Sequence, residues 1–496
     1  MDSWIALNDW LEEIRLLGGI SALLGWDQQT GMPKEAGPER AAQCALVARL
    51  SHERFTDPRV GDWLATLEQT PTDDPVRKGA VRNLRRDWDR KTKLPGALVE
   101  ALARAESEGF EAWVGAKATS DFRAFAPSLR RMVALQREQA AAIDSAAPPY
   151  DVLLAAFEPG ATTAWLRPLF ARLRVGLVEL LDGIEGQPGP SALVGPFDRL
   201  AQRRVSDSLL TALGYERLAG RLDDSEHPFS TSCGRRDVRV TTHLYDDDLL
   251  QGIFSTIHEC GHALYELGLP HQLGSDLVAR AASMGLHESQ SRFWENVIGR
   301  SRPFARWLAP QLADAFPTAG IDAERLYGAL NRVERGLIRV DADEVTYNLH
   351  VLVRFELEAA LFDGAIDVDD LPYAWDQAME ATVGARPGRD AEGVLQDVHW
   401  SVGAFGYFPS YTLGNLYSAS LRRGIEEAIP DLWDQVGRGE FSSVLGWLRT
   451  HVHAQGHLVD APDVVRRAVG ERDAVEDLLG HLWERVSGVY GVSRPA

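Results

Sequence analysis

Apolar positions three and four residues apart dominate the chain. Leu166, Leu169, Leu173, Leu177 and Leu180 keep this spacing between Thr162 and Leu181, and Leu326, Leu330, Val333, Leu337 and Val340 repeat it. The second series predicts a helix running past Leu349, and residues 353–362 (VRFELEAALF) read as more helix. Proline and glycine interrupt the pattern at 186–196 (GQPGPSALVGP) and 384–393 (GARPGRDAEG), which predicts surface loops. One stretch departs from the helical period. In Asp237–Tyr245, Val238, Val240, Thr242 and Leu244 alternate with Asp237, Arg239, Thr241, His243 and Tyr245, so a strand is expected with its polar set on one face. The fold class is therefore mainly α with a small β-sheet.

Composition sharpens this only in places. A 45% hydrophobic and 25% charged chain of 496 residues is ordinary globular material. The net charge of −20 repels phosphate backbones and anionic lipid, which sets nucleic acid and membranes aside as partners. Cys44, Cys233 and Cys260 form no CxxC pair and no disulfide framework. The start of the chain carries acidic residues where a secretory leader needs basic ones, and no apolar run approaches the ~18 residues that span a bilayer. A cytoplasmic location is the expectation.

The chemistry concentrates at His258-Glu259-Cys260-Gly261-His262, an HExxH. Its flanks are helical in spacing, so His258 and His262 share a face and can offer two imidazole nitrogens to one metal, with Glu259 beside them to take a proton from an activated water. Gly261 costs about 1 kcal/mol in a helix relative to alanine, and its bareness lets another element or substrate come close. Residues 277–298 (LVARAASMGLHESQSRFWENVI) predict a second helix, on which Glu288 is the third ligand. His287, a residue earlier, points about 100° away around a helix and suits a supporting or substrate-facing role. Two histidines and a carboxylate favour zinc, with cobalt as a substitute. Tyr265 and Gly268 stand where the longer metzincin pattern requires glycine and histidine. Cys260 inside the motif predicts sensitivity to oxidation or heavy metals.

Around this centre the sequence resembles the carboxypeptidase Taq family of zinc metallocarboxypeptidases. The matching motifs are His227-Pro228-Phe229 (HPF), Asp237-Val238-Arg239-Val240-Thr241 (DxRxT), the HExxH and the His287-Glu288-Ser289-Gln290 segment. They continue with Ile338-Arg339-Val340-Asp341-Ala342-Asp343 (IRxxAD), Gly393 to Trp400 (GxxQDxHW) and Gly406 to Tyr411 (GYFPSY). Trp26-Asp27 followed by Met32-Pro33 resembles the family's opening. The resemblance implies a two-lobed helical metallopeptidase with a deep groove, similar in plan to the oligopeptidases and angiotensin-converting enzyme. It also implies a homodimer, and residues 1–496 as a single catalytic unit with its motifs between 227 and 411.

The resemblance further implies release of C-terminal amino acids from peptides. Arg339 becomes the first candidate for the substrate carboxylate, which arginine binds bidentately; a generic ion pair with Asp341, Asp343 or Glu344 is the competing reading. Arg239 is the second candidate. Asp237, Arg239 and Thr241 either close the groove's end with His227 or form a structural network. His399, Tyr407 and Tyr411 are candidates for substrate contact and oxyanion stabilisation, Tyr411 foremost, although buried tyrosines also serve packing. Gln396 and Asp397 are expected to orient His399, and Trp400 to line the groove. Arg292 stands four residues beyond Glu288, where many zinc peptidases place a histidine-orienting aspartate, so the partners of the two histidines stay unassigned. An endo-acting oligopeptidase with the same metal site and an inactive peptide-binding homologue remain as alternatives.

Overall fold

The computed structural model describes residues 2–495. Helices of the expected amphipathic kind build most of it, including Thr163–Gly183, whose Leu166, Leu173, Leu177 and Leu180 are buried. The HExxH helix spans Leu249–Gly268. Asp248 caps its start by accepting from the Gln251 amide, and Ile253, Ile257 and Leu264 fix its buried face. Among the described residues no helix is long and apolar enough to cross a membrane.

The small sheet has three strands, β1 (Leu222–Asp224), β2 (Ser230–Gly234) and β3 (Asp237–Thr242), in the order β1-β3-β2. β1 runs parallel to β3 with Leu222 opposite Val240, and β2 runs antiparallel with Thr231 opposite Arg239. The strand expected to reach Tyr245 stops at Thr242 and the chain turns into the HExxH helix. Val238 and Val240 face the core. On the other face Arg239 lies 4.4 Å over the Trp26 ring of the N-terminal helix Ser3–Thr30, which ties the opening motif to the sheet.

Two helical expectations need correction. The helix predicted from Leu326 past Leu349 is two helices, Ala323–Leu330 and Thr346–Asp363, joined by a connection whose only helical turn is Arg339–Asp341. Side chains take over the backbone's hydrogen bonds there. Asp343 accepts from the amides of Glu334, Val345 and Thr346, while Gln396 accepts from the Arg339 amide and donates to the Leu337 carbonyl. The predicted helix 277–298 begins only at Met284, where Ser283 accepts from the Leu286 amide. This glutamate helix, Met284–Arg292, continues through a π-helical turn at Phe293–Ile298. The buried apolar side chains form a large cluster around the HExxH helix and a smaller one under the N-terminal helices, where Leu7, Leu11, Val60, Leu64 and Leu84 meet Leu277 and Val278.

Candidate metal centre and active site

His258 and His262 lie one turn apart on the HExxH helix with ring centroids 4.9 Å apart. The glutamate helix crosses them at Gly261, where a Cβ would fall 2.6 Å from Ser291 Cα and 2.7 Å from the Gln290 carbonyl oxygen. The bare glycine is what lets Glu288 reach the histidines. Glu288 Oε2 lies 3.6 Å from His258 Nε2 and 3.5 Å from His262 Nε2. Ligand atoms ~2.0–2.1 Å from a tetrahedral ion stand about 3.4 Å from one another, so this donor set fits a metal ion as it stands. Among the described residues it is the only group of three such side chains so closely gathered. The histidine side chains are 17% and 15% exposed, so solvent reaches the face they present.

The far nitrogen of each imidazole is held. His258 Nδ1 donates to Glu295 Oε2 at 2.8 Å, which turns Nε2 toward Glu288. His262 Nδ1 meets His287 Nδ1 at 2.6 Å, and His287 Nε2 meets Glu266 Oε1 at 2.9 Å. Glu266 accepts only, so the network assigns His287 as its donor through Nε2 and as acceptor of the His262 Nδ1 proton. His262 Nε2 is thereby left with its lone pair toward the site. Arg292 donates to Glu288 Oε1 at 2.7 Å and to Glu295 Oε2 at 3.0 Å. An arginine thus occupies the position of the usual aspartate and neutralises Glu288 and Glu295 instead.

The electrostatics follow. Burial alone would suppress the charge on His258, yet Glu288 and the Glu295 hydrogen bond raise it to about 9. Burial and the neighbouring His287 push His262 down to about 3. Burial opposes ionisation of Glu288, but Arg292 and His258 hold it well below the usual carboxylate range. Glu259 is buried beside them with no basic side chain in ion-pair contact among the described residues, and burial raises it.

A second charged cluster surrounds Arg339. Its Nε and Nη2 donate to Asp397 Oδ1 at 3.0 and 2.7 Å, and Nη1 donates to the Tyr347 hydroxyl at 3.0 Å. Arg354 donates to the other oxygen of Asp397 at 2.7 Å. Two guanidiniums sharing one carboxylate leave a net positive trio. The partner of Arg339 is therefore Asp397, not the acids of its own loop. Tyr347 spans the two clusters, because Arg292 also packs 4.4 Å over its ring. Tyr411 lies 5.0 Å beneath Arg339, and its hydroxyl meets His399 Nε2 at 3.3 Å. Tyr407 packs 5.2 Å from Tyr411.

A profile of the carboxypeptidase Taq (M32) metallopeptidases matches residues 6–486. The chain belongs to this family. Thermostable carboxypeptidase 1 of Thermus thermophilus is 43% identical across 98% of both chains, and carboxypeptidase 1 of Bacillus subtilis is 36% identical across 97% of both. The M32 carboxypeptidase of Deinococcus radiodurans superposes with a TM-score of 0.96 at 36% identity, covering 99% of this chain and 100% of the other. The protein is a metal-dependent carboxypeptidase; neither alternative reading is favoured.

Not every motif residue of this carboxypeptidase reaches the cluster. Arg239 is paired with Asp237 at 2.8 Å as well as stacked on Trp26, and Thr241 is bound to Ser225 and Phe229, so this strand face is a structural network. The His227 side chain is exposed. Gln396 and Asp397 serve the Arg339 loop rather than His399. Trp400 is buried and donates to Glu358 at 2.7 Å, so it belongs to the core. Cys260 is fully buried and burial pushes its thiol up, which removes the expected reactivity. Sequence reading missed Glu295, Glu266, Tyr347 and Arg354. Glu295 lies two helical turns beyond Glu288 and Glu266 one turn beyond His262, so both were legible by spacing; the others carry no local signal.

Proposed function

We propose that the chain is a zinc carboxypeptidase releasing single residues from the free C-terminus of peptides, with His258, His262 and Glu288 as ligands and cobalt as an acceptable substitute. The convergence of those three donors beside the buried Glu259 carries the reading. The metal, when bound, supplies Lewis acidity toward water and the scissile carbonyl. Glu259 is assigned the proton transfers: it takes a proton from the attacking water and delivers it to the departing amine, and its raised affinity for protons suits both steps. The net positive trio of Arg339, Arg354 and Asp397 supports recognition of a terminal carboxylate by Arg339. Tyr411, hydrogen-bonded to His399, is the donor assigned to the developing oxyanion. Tyr407, Arg239 and His227 are assigned to the walls that hold the peptide, Arg239 through the strand network it anchors.

The same reading makes residues 1–496 one catalytic unit with two lobes around a groove, in a cytoplasmic homodimer. A free-acid peptide and its C-terminally amidated twin test the activity. Stepwise loss of residues from the free acid alone supports the proposal, and equal cleavage of both overturns it. Glu259→Gln separates chemistry from binding, because metal content should persist while turnover disappears.

A further inference from the structure

Five carboxylates are buried among the described residues: Glu158, Glu259, Glu288, Glu295 and Glu358. Three belong to the metal centre. The other two stand apart from it and have no basic side chain within ion-pair distance among the described residues. Burial pushes each up to about 7. Such groups are costly to bury, and an apolar side chain would fill their volume more cheaply. What they hold is therefore informative.

Both grip the segment that carries His399, Tyr407 and Tyr411. Glu358 accepts from Trp400 Nε1 at 2.7 Å, the Gly406 amide at 2.9 Å and the Tyr150 hydroxyl at 2.8 Å. Glu158 accepts from Ser410 Oγ at 2.6 Å, in the first turn of the tyrosine helix Pro409–Ala428, and from the Gly285 amide in the first turn of the glutamate helix. These two helices also touch one turn later. A Cβ on Gly414 would fall 2.6 Å from Glu288 Cγ, so the ligand's stem lies directly on the tyrosine helix. Glu158, Gly285, Glu288, Gly414 and Ser410 thus close a ring that fixes one helix against the other.

We propose that Glu158, assisted by Glu358, is a positioning residue that sets the register of the tyrosine helix on the glutamate helix, and with it the distance of Tyr411 and His399 from the metal ligand Glu288. The proposal rests on the reading of Tyr411 as a substrate-contacting donor. A displacement of about 1 Å at such a group costs on the order of a hundredfold in rate, so loosening one anchor reads out in kcat before affinity.

The test measures kcat, KM and bound metal on a free-acid peptide for Ser410→Ala, Glu158→Ala and Glu158→Gln, each with and without Tyr411→Phe. Gln keeps an acceptor for Ser410 and the Gly285 amide, so it is the rescue variant. Ser410→Ala and Glu158→Ala are expected to lose roughly tenfold or more in kcat with KM within about threefold and full metal content, while Glu158→Gln recovers most of the loss. In the Tyr411→Phe background the Ser410→Ala loss should shrink below about twofold. An undiminished loss in that background, or parental kcat in Ser410→Ala, overturns the proposal. Parental kcat in Tyr411→Phe alone places the failure in the reading of Tyr411 and removes the proposal with it. If Glu158→Ala does not fold, the Ser410→Ala cycle decides.

Discussion

Replacing Glu158 by glutamine should alter how stability depends on pH, and the size of the effect follows from its surroundings. The side chain is 2% exposed, and burial raises its carboxyl from 4.5 to about 7 against the opposing bonds from Ser410, Ser283 and the Gly285 amide. A carboxyl that binds its proton more tightly when folded contributes stability that is complete below about pH 4.5 and lost as pH rises through about 7. The loss amounts to about 3 kcal/mol. Glutamine presents an oxygen to Ser410 and Gly285 and an amide to the Ser283 hydroxyl, and never ionises. Parent and variant should therefore match near pH 5, and the variant should lead by about 3 kcal/mol at pH 8.5. Unfolding entropy of ~2.1 cal/mol/K per residue over 496 residues makes this a Tm difference of about 3 °C. Calorimetric scans of both proteins from pH 5 to 8.5 provide the assay. A Tm difference that stays constant across that range would refute the argument, because it would mean that the hydrogen bonds keep Glu158 ionised throughout.

Glu295→Gln removes the charge behind His258, and metal affinity should fall about 10- to 100-fold by chelator competition; an unchanged affinity would deny Glu295 its orienting role. Gly414→Ala drives a methyl group into the Glu288 stem and should cost about 1–3 kcal/mol of stability together with metal content, read by melting and metal analysis. Because His258 without metal holds its proton up to about pH 9, metal uptake at pH 7 must expel it. Affinity should then climb about tenfold per pH unit toward 9, and calorimetry in buffers of differing ionisation heat should count about one proton released. Arg339→Met should raise KM for free-acid peptides far more than it lowers metal binding, and equal KM values would show that another group receives the carboxylate.

The helical class, the strand at Asp237 and the shared face of His258 and His262 were legible because each rests on local spacing. His258 and His262 share a face by the geometry of one helix, and Glu288 could be placed because its motif follows in order. The break between Leu330 and Thr346 was not legible. The apolar series continues through it, and Asp343 within the loop together with Gln396 from far along the chain bonds the backbone there in place of a helix. That loop is what delivers Arg339 to Asp397.

By itself, then, the sequence determined which side chains could face one ion, because residue type and period decide that. The tertiary structure alone decided how those groups are held. Glu266 behind His287, Tyr347 between two arginines, and the buried Glu158 and Glu358 act across long intervals of chain. Their pairing depends on which helices pack together, and the pairing sets charge, tautomer and position at the site.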